Sequence, residues 1–301
     1  MIDFFGMLPS ILMIVAPILI AAIGGMICER AGVVNIALEG LMAFGAFTAA
    51  ASHRLLEIPL GGFSVSFALL MAALMGGIIS LIHAFASITL KADQIISGTG
   101  INLLSMGVTV FLCQIIFQQE RTQPFRLGMM PIRALGGIYP TVWIALAVLL
   151  VFRFVLYKRP WGLRLRACGE HPQAAASAGV DVIRIRYTAV LISGILAGLA
   201  GGCLVLTQTI QYTVTTINGK GFIALAAVSF GRWLPMGVLG SSLLFGTSAA
   251  LAVYIINIQS LKFLPPEFFN LLPYAITLIT LVFFSGKDYA PRASGQPYEK
   301  G

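Results

Sequence analysis

Long apolar runs separated by short polar breaks fill almost the whole chain. A helical crossing of a bilayer needs about 20 mostly apolar residues. Runs of that kind cover Pro9–Ile27, Val33–Ala51, Phe63–Leu90, Gln94–Phe117, Tyr139–Tyr157, Tyr187–Ile210, Met236–Ile258 and Phe268–Ser285. A further apolar piece, Gly219–Phe230, is short and glycine-flanked, and either spans or only re-enters the bilayer. The pattern predicts an all-α polytopic membrane protein of about eight to ten transmembrane helices, built as one membrane domain over residues 1–301.

Composition narrows the class. Of 301 residues, 58% are hydrophobic and only 10% charged, where soluble domains carry about 25% charged residues. So little polar surface cannot cover a water-soluble globule. The formal net charge of +8 is explained by Lys and Arg gathered in cytoplasmic loops against anionic membrane lipid, with no nucleic acid involved. Cys28, Cys113, Cys168 and Cys203 are far apart and form no CxxC pair. They read as small apolar fillers or free thiols, and no metal site is expected. The first residues hold Asp3 and no basic cluster, so the first run reads as a retained span.

Loop charge sets the orientation. The stretch 158–186 carries Lys158, Arg159, Arg164, Arg166, Arg184 and Arg186 against Glu170 and Asp181. The positive-inside bias makes it a cytoplasmic loop, and counting back through five spans puts the amino terminus outside. Arg121, Arg126 and Arg133 then lie in an outside loop, against the trend. Glycine runs such as Gly194–Gly198–Gly201 and Gly237–Gly240 read as helix-packing faces.

Polar residues inside apolar runs are candidates for a solute path. Asn35 and Glu39 are four apart and share one face if helical. A carboxylate at a helix centre costs about 2.5–3.5 kcal/mol on insertion scales, so it faces the interior. Glu39 either lines a path, or pairs with a cation or caps another helix. Gln94 and Asn102, eight apart, share a face of the next-but-one span and are path candidates too. In TTINGKGF, Gly219 and Gly221 flank Lys220 before a helical run. Backbone N–H groups there form either an anion site or simply a flexible helix start.

The polar stretch contains GLRLRACGEHPQAAASAGVDVIRIR. Pro172 suits a first helical turn and Gly179 the position that ends a helix. One short helix is expected over 172–179, smooth with alanine and serine. Such a helix suits a groove on another protein; a helix lying on the membrane would carry bulky apolar residues instead.

Three motifs carry a family resemblance: CERAGVVNIALEGLMAFGAF, RACGEHPQAAASAGV and GKGFIALAAVSFGRWLPMGVLGSSLLFG. The chain resembles the permease subunits of ABC importers for branched-chain amino acids and simple sugars, in the branch associated with basic-membrane-protein-type nucleoside receptors. Ala37 stands where that family usually has Gly, His171 where it has Asn, and Leu234 where it has Asn. The resemblance implies an inner-membrane permease moving a nucleoside, or alternatively a flavin such as riboflavin or a simple sugar. It implies three partners: a cytoplasmic ATPase that uses ATP and Mg, a second identical or homologous permease, and an extracytoplasmic substrate-binding lipoprotein. It also implies that Glu170, His171, Pro172, Ala174, Ala175, Ala178 and Gly179 form the ATPase coupling element.

The chain itself has no GxxxxGK[ST] motif, and no cofactor of its own is expected. A secondary transporter also fits the span count, but it needs no coupling helix. An enzyme is disfavoured: no HExxH or GxSxG occurs, and His53, His83 and His171 lie in separate segments.

Overall fold

The computed structural model describes residues 4–126, 128–132, 136–256, 275 and 289–299. The helices are α1 (Phe4–Arg30), α2 (Leu38–Leu60), α3 (Phe63–Ala84), α4 (Gln94–Phe117), α5 (Pro140–Lys158), α6 (Pro160–Glu170), α7 (Pro172–Ser177), α8 (Val182–Gln208), α9 (Lys220–Phe230) and α10 (Pro235–Ile256). One π-helical turn, Phe85–Thr89, continues α3. Among the described residues, six helices are long and apolar enough to cross a membrane: α1, α3 with its π turn, α4, α5, α8 and α10. The predicted span Phe268–Ser285 lies outside the described residues, Ala275 apart.

α1 and α8 form the axis of the bundle. In their most apolar stretches 83% and 78% of residues are buried, against 28% in α3, α4 and α5. α2 and α3 pack on α8, while α5, α9 and α10 pack on α1. Leu103 and Phe111 of α4 and Leu150 and Phe154 of α5 are exposed, as suits a lipid-facing ring. Glycines let axis helix α8 touch α3 and α2: a Cβ on Gly198 would lie 2.9 Å from Gly76 Cα, and one on Gly201 would meet the backbone of Met42 and Ala46. The expected packing run on α8 therefore holds. The second run holds only in part. Gly237 sits against Gly231, but Gly240 has nothing within 4 Å.

Several element boundaries differ from the sequence reading: α1 runs past both ends of its predicted span, and α2 runs nine residues past Ala51 to Leu60. α2 begins at Leu38, and residues 33–37 are not helical although apolarity runs through them. α8 begins at Val182, with Asp181 Oδ1 accepting from Arg184 N at 3.1 Å as its cap. The polar stretch holds two helices where one was expected, because Pro160 opens α6 ahead of α7. α4 matches its predicted bounds, and its cap is Asp93, whose Oδ1 accepts from Ile95 N and Ile96 N. At 11 residues, α9 rises only about 16 Å, roughly half a bilayer core.

Candidate functional site

The chain unwinds between α1 and α2, inside the bundle. Gly32, at φ +89°, ends α1, and its N–H bonds to Glu29 O at 2.9 Å. Val33 N still donates to Cys28 O at 3.2 Å and Ala37 O still accepts from Leu41 N at 2.9 Å, whereas Val34 and Ile36 between them lie outside either helix. In a membrane interior each unmet backbone group costs several kcal/mol, so irregular backbone survives only where protein satisfies it.

Distant side chains do so here. Gln94 Oε1 accepts from Val34 N at 2.7 Å. Asn102 Nδ2 donates to Ile36 O at 3.0 Å, and its Oδ1 accepts from Gly40 N at 2.8 Å. His83 Nε2 lies 3.1 Å from Val34 O; a carbonyl only accepts, so that nitrogen carries the hydrogen. His83 Nδ1 then accepts from Ser97 Oγ at 3.0 Å. Asn35 Nδ2 donates to Ser193 Oγ of α8 at 2.8 Å, while its Oδ1 is buried without a partner.

Glu39, half-buried in the first turn of α2, reaches the start of α9. Its Oε1 accepts from Gly219 N and its Oε2 from Gly221 N, both at 2.7 Å. Negative charge at a helix amino terminus is favourable. Gly219 has φ +81°, and a Cβ on Gly221 would lie 2.5 Å from Glu39 Cα, so both positions need glycine. The anion that the TTINGKGF stretch accepts is thus the chain's own carboxylate.

The other end of α9 is tied to the same motif. Trp233 Nε1 donates to Glu29 Oε2 at 2.5 Å, and Arg30 Nε donates to Trp233 O at 2.9 Å. Arg232 and Trp233 adopt φ +54° and +53°, a left-handed turn that aims both groups back at α1. The stretch ERAGVVNIALEG therefore brackets a helix break and clamps a half-length helix at both ends.

The four predicted path residues converge on this break, but in different roles. Gln94 and Asn102 share a face of α4, as expected. Asn35 and Glu39 do not share a helix face, because Asn35 precedes α2; one side chain turns to α8 and the other to α9. Asn35 and Gln94 are buried: Gln94 holds the Val34 backbone, whereas Asn35 ties the break to the Ser193 side chain of α8; only Glu39 and Asn102 keep partial exposure. His83, Ser97, Ser193 and Trp233 complete the site. No periodicity marked them, since their partners are remote in sequence.

At one end of the bundle, α7 follows α6 after a single residue, His171. Pro172 takes the first turn, and Gly179 at φ +80° closes the helix, with its N–H on Ala176 O and Val180 N–H on Ala175 O. Glu170, His171, Ala174, Ala178 and Gly179 are exposed, and Pro172 is half-buried. Ala175 is a correction to the expected contact set: it is 5% exposed and packs into the chain's own core. Among the described residues no group of His, Cys, Asp and Glu is placed to hold a metal ion.

Comparison with known proteins identifies a family and its relatives. Residues 7–281 match the family described as the permease component of the branched-chain amino acid transport system. The chain is 40% identical to the guanosine ABC transporter permease protein NupQ of Bacillus subtilis, over 97% of this chain and 96% of that one. It is 38% identical to the nucleoside ABC transporter permease protein NupC of Lactococcus lactis, over 94% and 93%. It is 24% identical to a second Bacillus subtilis protein, the guanosine ABC transporter permease protein NupP, over 95% and 83%.

Proposed function

Because the chain belongs to the family of branched-chain amino acid transport permease components, we propose that it forms one half of the pore of an ABC importer whose cargo is a nucleoside. It is a multi-pass protein of the cell membrane, and as the permease component it is not the enzyme of the system. Its near-full-length similarity to permeases named for guanosine and nucleoside transport carries the cargo assignment. Two Bacillus subtilis permeases, both named for guanosine transport, resemble this chain to different degrees, which favours a second, related permease as its pore partner. The remaining partners are a cytoplasmic ATPase that binds ATP and Mg, and an external substrate-binding lipoprotein.

The solute passes beside the α1–α2 break and the start of α9. A half-length helix clamped at both ends is a natural moving part, since it shifts as a body without unmaking a full crossing. Glu39 and Asn102 offer their exposed edges to the solute. Gln94 and His83 keep the broken backbone satisfied while it moves, and Asn35 ties it to Ser193 of α8. α7 is the coupling helix. Its exposed small residues, Ala174 and Ala178, fit a groove on the ATPase, and ATP-driven closure of that groove displaces the helix.

The test pairs two neighbouring residues. Ala174→Trp abolishes co-purification of the ATPase and leaves the folded permease yield unchanged. Ala175→Trp overpacks the core and lowers the folded yield itself. Full ATPase association in the Ala174 variant sinks the coupling assignment. Uptake of labelled guanosine by the reconstituted transporter tests the cargo, and uptake that follows a proton gradient in place of ATP sinks the importer class.

A further inference from the structure

Segment 289–299 has no helix, yet it touches five separate parts of the chain at the α7 end. Ala293 N donates to Gly169 O at 2.9 Å, two residues before α7's His171 cap. Arg186 of α8 donates from Nη1 to Gln296 O at 2.9 Å. A Cβ on Gly32, at the α1–α2 break, would lie 3.1 Å from Ala293 O and 2.8 Å from Arg186 Nη2. Lys91, ahead of α4, pairs with Glu299 at 3.2 Å. The Arg232 guanidinium, in the turn after α9, sits 4.5 Å over the Tyr289 ring. A cavity of about 310 Å³ lies between the α6–α7 corner and this segment, lined by His171, Gln173, Arg186, Arg292 and Gln296.

We propose that segment 289–299 is a strap that positions α7 and carries its displacement to the α1–α2 break and the end of α9. The idea rests on the coupling role of α7 given above. α7 packs on α6 and α8, whereas the parts that clamp α9 belong to the α1–α2 motif and the Arg232–Trp233 turn. The strap contacts both groups. Its hold is mostly polar, through backbone bonds, one exposed ion pair and one cation–ring contact, with little apolar area beyond Pro291, Ala293 and Tyr298. Contacts of that kind are remade readily and suit a part that moves with its neighbours. Arg186 is 2% exposed, and its Nε and Nη2 lack hydrogen-bond partners. A cation kept buried at that expense is a strong anchor only while the strap's carbonyl receives it.

The experiment uses the complete transporter in phosphatidylethanolamine–phosphatidylglycerol vesicles, with nucleoside uptake and ATP hydrolysis measured on the same sample. Two permease variants are compared with the parent: deletion of residues 290–299, and Arg186→Gln, whose shorter side chain cannot reach Gln296 O. We expect ATPase association to persist and uptake per ATP hydrolysed to fall about tenfold, within the usual range of coupling effects. A merely structural strap would lower the amount of assembled complex and leave that ratio alone. If the deletion does not assemble, the Arg186 variant decides by the same ratio. A parental ratio in a folded Arg186→Gln complex overturns the strap, even where Ala174→Trp still breaks ATPase association. Intact association in Ala174→Trp overturns the coupling role of α7 instead.

Discussion

At Glu39 each carboxylate oxygen accepts one glycine N–H of α9. A glutamine there offers one acceptor and turns its NH₂ group against the other N–H. Glu39→Gln therefore leaves a buried donor unmet and costs about 1–3 kcal/mol, read as a lowered melting temperature of the detergent-purified permease. The sequence alone left this residue open between lining a path and capping a helix, and the capping geometry is what the structure adds. Asn102→Leu is a parallel case. It strands both Ile36 O and Gly40 N, and its loss of stability should match or exceed that of Glu39→Gln in the same assay. A melting curve unchanged in both variants would mean that water or lipid satisfies the break. Sequence spacing could place Gln94 and Asn102 on one face of α4. It could not reveal that this face meets the backbone at Val34 and Ile36, because that contact depends on where the chain unwinds.

The same limit operates on whole elements. α4 was legible to the residue, since Asp93 supplies a cap and the apolar run ends at Phe117. α2 was not, because Val33–Ala37 is apolar enough to read as helix while its backbone is held open by α3, α4 and α8. α6 was hidden by its basic residues, Arg164 and Arg166, whose polarity made a helix look like loop. Glycine shows the distinction most sharply. Gly198 and Gly240 look alike in sequence, but only Gly198 lies against another helix backbone. Gly198→Ala forces α3 and α8 apart and costs about 1–3 kcal/mol, as overpacking does. Gly240→Ala meets open space and gains helix propensity of about 0.5–1 kcal/mol. Opposite shifts in melting temperature are expected; equal shifts would show that α3 and α8 do not pack as described.

Over the whole molecule, the two ends of the bundle differ in charge and in what they present. The α7 end carries Lys91, Lys158, Arg159, Arg164, Arg166, Arg184, Arg232 and Arg292. The opposite end carries Arg54, Arg121 and Arg126, and there Arg54 Nη2 donates to Gln123 Oε1 while Arg126 N donates to Glu57 Oε1. Among the described residues, the arginines of loop 118–126 that ran against the positive-inside trend are thus outnumbered by the basic residues of the α7 end. By the positive-inside bias, this asymmetry supports the proposal that α7 and segment 289–299 face the cytoplasm, within reach of the proposed ATPase. Single cysteines test it cleanly, because Cys28, Cys113, Cys168 and Cys203 are all buried and stay silent to an impermeant maleimide. Ser177→Cys, on the exposed side of α7, should label only in inside-out vesicles. Gln119→Cys, after α4 at the other end, should label in intact cells. The reverse pattern would put α7 beyond the reach of any cytoplasmic motor, and an ABC mechanism through this helix would then be physically impossible.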